Sequence, residues 1–182
     1  MNEPDDSILI TRYLQGDAVA FDLLYQRHRL PLFNYIVRQV KVSNVADDLF
    51  QDVWMKIIRS LDSFQDQSNF TGWAFRIAHN RLVDYWRQHR PEHADELNPE
   101  TNDSVLPLET LQFLKDCVER LKQLIGLLQA DQRDAFLLQQ ESGLSLEQIA
   151  QVTTSTRETV KSRLRYALQK LRNGLQGCED QG

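Results

Sequence analysis

The sequence predicts an all-α protein made of two small helical domains joined by a flexible acidic linker, with a helix-turn-helix in the C-terminal domain. Three observations predict it. Apolar residues recur at helical spacing, and no run alternates convincingly as a half-buried strand would. The segment from Pro91 to Pro107 combines three prolines with Asn and Asp clusters and almost no apolar periodicity, which is the composition of a mobile connection. Towards the C-terminus, two capping-box pairs open two successive helices across a short polar turn.

The elements follow in order. Ile8, Leu9, Tyr13 and Leu14 mark a first helix, which Gly16-Asp17 breaks, offering a cap for the next. Phe21, Leu24 and Tyr25, then Leu32, Phe33, Ile36, Val37 and Val40, continue the helical spacing, and Pro31 either opens a new helix or kinks an old one. From Asn44 to Ser60, Ala46, Leu49, Phe50, Val53, Trp54 and Ile57 cover one side of a helical wheel, whereas Asp48, Gln51, Asp52 and Met55 gather opposite. One face packs and the other is free to meet something.

A polar stretch from Asp62 to Phe70 leads into a helix anchored by Trp73, Ile77 and Val83, with Arg76, Asn80, Arg87, His89 and Arg90 adding polar reach. Interleaved aromatic and basic groups suit melted nucleic acid, because bases stack on aromatic faces while Arg takes phosphates. The plainer alternative is that most of Phe64, Phe70, Trp73, Phe75, Tyr85 and Trp86 form a core. Beyond the linker, Leu108 to Leu128 reads as one long amphipathic helix or two closely joined ones, with Gly126 weakening continuity. Ala135, Phe136 and Leu138 mark a shorter helix ending at Ser142-Gly143, where Gly is a natural C-cap. Ser145 and Gln148 cap a helix from Leu146 to Val152; Thr153-Thr154 turn; Ser155 and Glu158 cap the last helix. In it Val160, Leu164, Ala167, Leu168 and Leu171 share one side, while Ser162, Arg165, Tyr166 and Gln169 fall on the other, with Lys161 at its edge. A helix apolar behind and basic in front is what insertion into a major groove requires.

The formal charge of −5 argues against a nucleic-acid partner only if it is evenly spread. It is not. Residues 59–90 hold five basic against three acidic side chains and residues 144–176 hold six against two, whereas residues 91–109 hold six acids and no Lys or Arg. Two basic modules on an acidic strap remain able to bind DNA, the strap limiting non-specific attachment. The acidic N-terminus and the lack of an 18-residue apolar stretch predict a soluble, cytoplasmic chain with no membrane insertion. Cys117 and Cys178, far apart in sequence and unclustered with His, predict neither a disulfide nor a structural zinc, and no cofactor is expected.

Placed in order, these pieces resemble the extracytoplasmic-function subgroup of the bacterial sigma-70 family of RNA polymerase sigma factors. The matching segments are FDLLYQRH from Phe21, VADDLFQDVWMKII from Val45, FQDQSNFTGWAFRIAHNRLVDYWR from Phe64 and LSLEQIAQVTTSTRETVKSRLRYALQKLR from Leu144. The resemblance implies a region 2-like domain over residues 1–90, the linker over 91–107 and a region 4-like domain over 108–182. It implies core-polymerase docking by Asp48, Leu49, Gln51, Asp52 and Met55. It implies contact with the −10 element by Phe64, Gln65, Asp66, Ser68, Asn69, Trp73, Arg76 and Asn80, partly through capture of a flipped base. It also implies contact with the −35 element by Lys161, Ser162, Arg165 and Tyr166, with Arg157 and Thr159 on the DNA backbone. Core RNA polymerase and promoter DNA are the partners so implied, and an anti-sigma factor is common in the family. Two departures stand out: Glu158 replaces a Gly frequent before Thr159, and Gln129 replaces a frequent Pro.

Two other functions fit parts of the pattern. A transcriptional regulator using the same helix-turn-helix without sigma activity would bind duplex DNA alone, and a non-enzymatic helical interaction protein would need neither DNA-facing surface. An enzyme is disfavoured, because no Gly-rich phosphate loop, metal-spaced His/Cys group or nucleophile-base set is evident.

Overall fold

A computed structural model describes residues 4–40, 42–64, 69–89, 108–176 and 178. All regular elements among them are helical: α1 (Asp6–Leu14), α2 (Ala18–Gln39), α3 (Ser43–Ser60), a 3-10 turn over Leu61–Ser63, α4 (Phe70–Gln88), α5 (Leu108–Gly126), α6 (Ala130–Ser142), α7 (Leu146–Val152) and α8 (Arg157–Gly174). The expected linker from Pro91 to Pro107 lies outside the described residues, as do Gln65, Asp66 and Ser68.

The N-terminal half is held by local capping and a shared apolar centre. Gly16 takes a positive φ of 97°, which turns the chain after α1, and Asp17 then caps α2 through Val19 N–H (3.1 Å) and Ala20 N–H (3.3 Å). The α2 helix runs through Pro31 as one element, so the proline does not open a new helix. Buried His28, Leu32, Tyr35 and Ile36 flank the proline, and their packing outweighs the hydrogen bond it deletes. Helices α2, α3 and α4 pack together over Leu24, Leu49, Val53, Ile57, Phe70 and Phe75. Val83 is exposed rather than an anchor; Leu82, one position earlier on the α4 wheel, is the buried residue.

In the C-terminal half, α6 ends at Gly143 in the left-handed region (φ 65°), as expected of a Gly C-cap. The Ser145–Gln148 capping box is complete, with Ser145 N–H donating to Gln148 Oε1 at 2.9 Å and Gln148 N–H to Ser145 Oγ at 3.3 Å. The second cap falls one residue later than Ser155. Thr156 Oγ1 accepts from Thr159 N–H (3.1 Å), whereas Ser155 shares a hydroxyl contact with Thr153 (2.8 Å) inside a turn whose Thr154 has a φ of 50°. That turn consumes Ser155 before α8 begins. Leu168 is likewise exposed, leaving Val160, Leu164, Ala167 and Leu171 as the inward row of α8.

The two halves pack on each other, α2 against α6 and α4 against α6 and α7. Their junction is polar. Asp134 accepts from Tyr35 Oη (2.6 Å) and Gln39 Nε2 (2.8 Å) and lies 3.1 Å from His79 Nδ1, while Arg133 Nε donates to Gln39 Oε1 (3.1 Å). Burial, then the charge of Asp134 and its hydrogen bond, push the Tyr35 hydroxyl well above its usual range, so it stays protonated and donates. Arg38 pairs with Glu141 at 2.6 Å on the rim.

Cys117 of α5 and Cys178, just past α8, are joined by a disulfide with Cα atoms 5.9 Å apart. This corrects the expectation that they stay unpaired. Their separation of 61 residues hid a crossing of α5 over the end of α8 that no local pattern encodes.

Candidate nucleic-acid interface

Helix α3 presents two unlike faces, as its wheel predicts. Ala46, Leu49, Val53, Trp54 and Ile57 are buried, and Asp48, Gln51, Asp52 and Met55 are exposed. Leu49, only 2% exposed, is a core residue that seats the helix, on the packed side where the wheel places it, although the resemblance also groups it with the docking residues. Asp52 is engaged by Arg81 of α4 at 2.7 and 3.0 Å, which ties the exposed face of α3 to α4. The Arg81 contact lies 29 residues away in sequence, so helical spacing could not reveal it.

The second constellation forms where the 3-10 turn meets the start of α4. Phe64, Phe70 and Trp73 cluster, with ring centroids 4.6 Å apart for Phe64–Trp73 and 6.0 Å for Phe64–Phe70. Phe64 is 8% exposed and serves the core edge, whereas Trp73 is half-buried and Arg76 and Asn80 are exposed. Asn69 does a job the sequence reading did not assign: its Oδ1 accepts from Gly72 N–H at 3.0 Å and caps α4. The same side chain occupies the space a Cβ on Gly72 would need, 2.6 Å from its Nδ2, so Gly72 permits the cap. The N-to-G spacing is the signal that could have exposed it.

An open cleft runs between this cluster and the C-terminal half, with Phe64, Asn69, Trp73 and Arg76 on one wall and Gln148 and Gln151 of α7 on the other. The aromatic and cationic groups that suit a nucleobase thus face the first helix of the helix-turn-helix.

The third constellation is the outer face of α8. Lys161, Ser162, Arg165 and Tyr166 are all exposed along it, and the Arg165 guanidinium stands 5.1 Å from the Tyr166 ring centroid. Thr159 is exposed beside the helix N-terminus, its hydroxyl 2.7 Å from that of Thr156. Arg157 is held by Glu147 and by Glu158 (3.1 Å). The Glu147 carboxyl is lowered by its own backbone amide and by Arg157, so it stays ionised against that guanidinium at neutral pH. Glu158 thus neutralises Arg157 and approaches Lys161 at 4.0 Å instead of capping α8. The face is basic, and a single α-helix is what a B-DNA major groove admits.

Comparisons with known proteins match both halves of the chain. Residues 24–92 match the model of Sigma-70 region 2, and residues 118–171 match that of Sigma-70, region 4. The RNA polymerase sigma-H factor of Pseudomonas aeruginosa is 31% identical, over 97% of this chain and 96% of its own. The ECF RNA polymerase sigma-E factor of Escherichia coli K12 is 32% identical over 94% of both chains. Among solved structures, the sigma factor RpoE of Bartonella quintana, crystallised with the anti-sigma factor NepR, superposes with a TM-score of 0.69 at 26% identity, covering 86% of this chain and 96% of that one. CnrH, bound to the cytosolic domain of CnrY, shares the fold with a TM-score of 0.68 at 24% identity, over 94% of this chain and 97% of its own.

Proposed function

Given that the chain belongs to the extracytoplasmic-function subgroup of the sigma-70 family of RNA polymerase sigma factors, we propose how its surfaces divide the work of a sigma factor. The protein directs transcription initiation with core RNA polymerase at promoter DNA, stoichiometrically and not as an enzyme. Residues 1–90 act as the polymerase-docking and −10-reading unit, residues 108–182 as the −35-reading unit, and residues 91–107 as the acidic connection.

Asp48, Gln51, Asp52 and Met55 meet the polymerase, with Leu49 holding α3 from behind. Trp73, Arg76 and Asn80 read the opened −10 strand together with Gln65, Asp66 and Ser68; Phe64 and Asn69 shape that site. Lys161, Ser162, Arg165 and Tyr166 read the −35 duplex, and Arg157 and Thr159 approach its backbone. The observation that carries the reading is the exposed basic face of α8 behind a fully capped α7, on a chain whose α3 offers a second, acidic exposed face. Because α7 stands over the aromatic cleft, promoter opening requires the halves to separate from the packed arrangement. A chain with no helix long and apolar enough to cross a membrane among its described residues, acting on polymerase, works in the cytoplasm. An anti-sigma factor, such as the one that accompanies the Bartonella relative, is the expected inhibitor.

The test is transcription with purified core polymerase on a pooled promoter library. The expected outcome is a set of products that share −10 and −35 elements and require this chain; duplex binding with no chain-dependent transcript would reduce it to a regulator without sigma activity.

A further inference from the structure

We propose that Cys117 and Cys178 are an oxidant-responsive modification site, a reversible thiol–disulfide pair that sets how firmly the first half of α5 is held to the end of α8. Three observations on the molecule lead there.

First, α5 is unevenly anchored. Ile125 in its last turn is buried, whereas Leu114, Lys115, Asp116, Val118 and Arg120 are exposed and Phe113 and Cys117 only partly covered. Near its end, α5 is fixed to α8 without any covalent bond: Arg120 Nε donates to Gly174 O at 2.5 Å, and Leu124 lies where a Cβ on Gly174 would stand. The Cys117–Cys178 bond adds a clamp one turn earlier, on the less covered part of the helix.

Second, Cys117 and Cys178 are only partly buried and both line an open cleft with Phe113, Asp116, Arg120 and Gln176, which gives small oxidants and thiol reductants a route to the pair. A staple meant to be permanent gains from burial; this one is accessible.

Third, a factor that works on RNA polymerase does so where thiols are kept reduced, and disulfides there are characteristically transient or sensory. The reaction balances with hydrogen peroxide as oxidant. One thiolate attacks the peroxide oxygen, breaking the O–O bond and leaving a sulfenic acid and water; the second thiolate attacks that sulfur and expels hydroxide, which takes up a proton. Two thiols lose two electrons and two protons, and the peroxide becomes two waters. A dithiol reductant reverses the bond by exchange.

The oxidised state orders α5 and, resting on the reading of α8 as the −35 reader, stiffens the unit that presents Lys161 and Arg165. The full-length chain is reduced with a dithiol, treated with hydrogen peroxide, and followed by alkylation and intact mass, by hydrogen exchange, and by transcription from a −35-dependent promoter. The expected results are loss of both alkylation sites with loss of two hydrogens, exchange over residues 113–121 slowed roughly tenfold in the oxidised form, and a transcript yield that changes with oxidation in the wild type but not in Cys117→Ser or Cys178→Ser. Failure of the reduced chain to close the bond, failure of a dithiol to reopen it in the folded protein, or equal exchange in the two states overturns the proposal. If Lys161→Ala and Arg165→Ala leave −35 use intact while alkylation and exchange still respond, the assignment of α8 fails and the redox pair stands.

Discussion

The Tyr35 hydroxyl donates a 2.6 Å hydrogen bond to Asp134 Oδ1, joining α2 of the N-terminal half to α6 of the C-terminal half. Gln39, His79 and Arg133 complete the cluster, so one carboxylate organises a largely polar junction. Replacing Asp134 by Ala strands the Gln39 amide and leaves the Tyr35 hydroxyl only its 3.5 Å contact with His79 Nδ1; a buried polar group left unpaired costs about 1–3 kcal/mol. The expected outcome is a more extended solution scattering profile and tighter binding of a single-stranded −10 oligonucleotide by the free chain, because α7 no longer stands over the aromatic cleft. An unchanged profile with unchanged oligonucleotide affinity would show that this junction does not hold the halves together.

How much of this was legible in the sequence divides along sequence distance. The all-helical class, the Gly143 stop, the Ser145–Gln148 box and the two faces of α3 follow from spacings of three to four residues, which are local physics. The Tyr35–Asp134 junction, the Asp52–Arg81 pair and the Cys117–Cys178 bond join positions 99, 29 and 61 residues apart, and no periodicity reports such meetings. One small local error had a local cause: Thr156 replaced Ser155 as cap because the preceding turn bends at Thr154.

Asp6 makes the docking of α1 on α2 acid-sensitive. Its side chain, 16% exposed, meets His28 Nε2 at 2.8 Å and Arg27 Nη1 at 2.6 Å, docking α1 on α2. Burial raises its pKa, but the hydrogen bonds and charges of His28 and Arg27 together outweigh burial and hold it below the usual carboxylate value. A depressed carboxyl contributes stability that is present above the unfolded pKa, near 4, and is lost as pH falls through the folded value. Asp6→Asn should therefore lower the urea midpoint at pH 7 and flatten the fall as pH drops below about 4. Parallel curves for the two proteins over that range would assign the acid transition elsewhere.

The two exposed faces should separate in a transcription assay. Asp48→Ala with Gln51→Ala is expected to weaken core-polymerase binding in a titration without changing helix content, since both side chains are exposed. Arg165→Ala is expected to leave that titration unchanged and to lower use of a matched −35 promoter by roughly tenfold, the size of one lost base-edge contact. Equal loss on matched and mismatched −35 sequences would move Arg165 from base reading to phosphate contact, and a wild-type titration by the α3 variant would remove Asp48 and Gln51 from the docking surface.

Asn69 carries two roles that one set of substitutions can pull apart. Its Oδ1 caps α4 through Gly72 N–H at 3.0 Å, and it also lines the cleft in which Trp73 and Arg76 stand. Asn69→Ala removes the cap and should cost about 1 kcal/mol of stability. Asn69→Ser keeps an oxygen acceptor at the N-cap, so stability should be restored while the amide that reaches the cleft is lost. If Asn69 only caps, the Ser variant transcribes like the wild type; if it also reads the opened strand, the Ser variant is stable by urea unfolding yet selects less well among −10 sequences. Because Gly72 leaves room for the capping side chain, Gly72→Ala should reproduce the instability of Asn69→Ala with Asn69 still present, confirming that the cap and not the amide chemistry sets the stability.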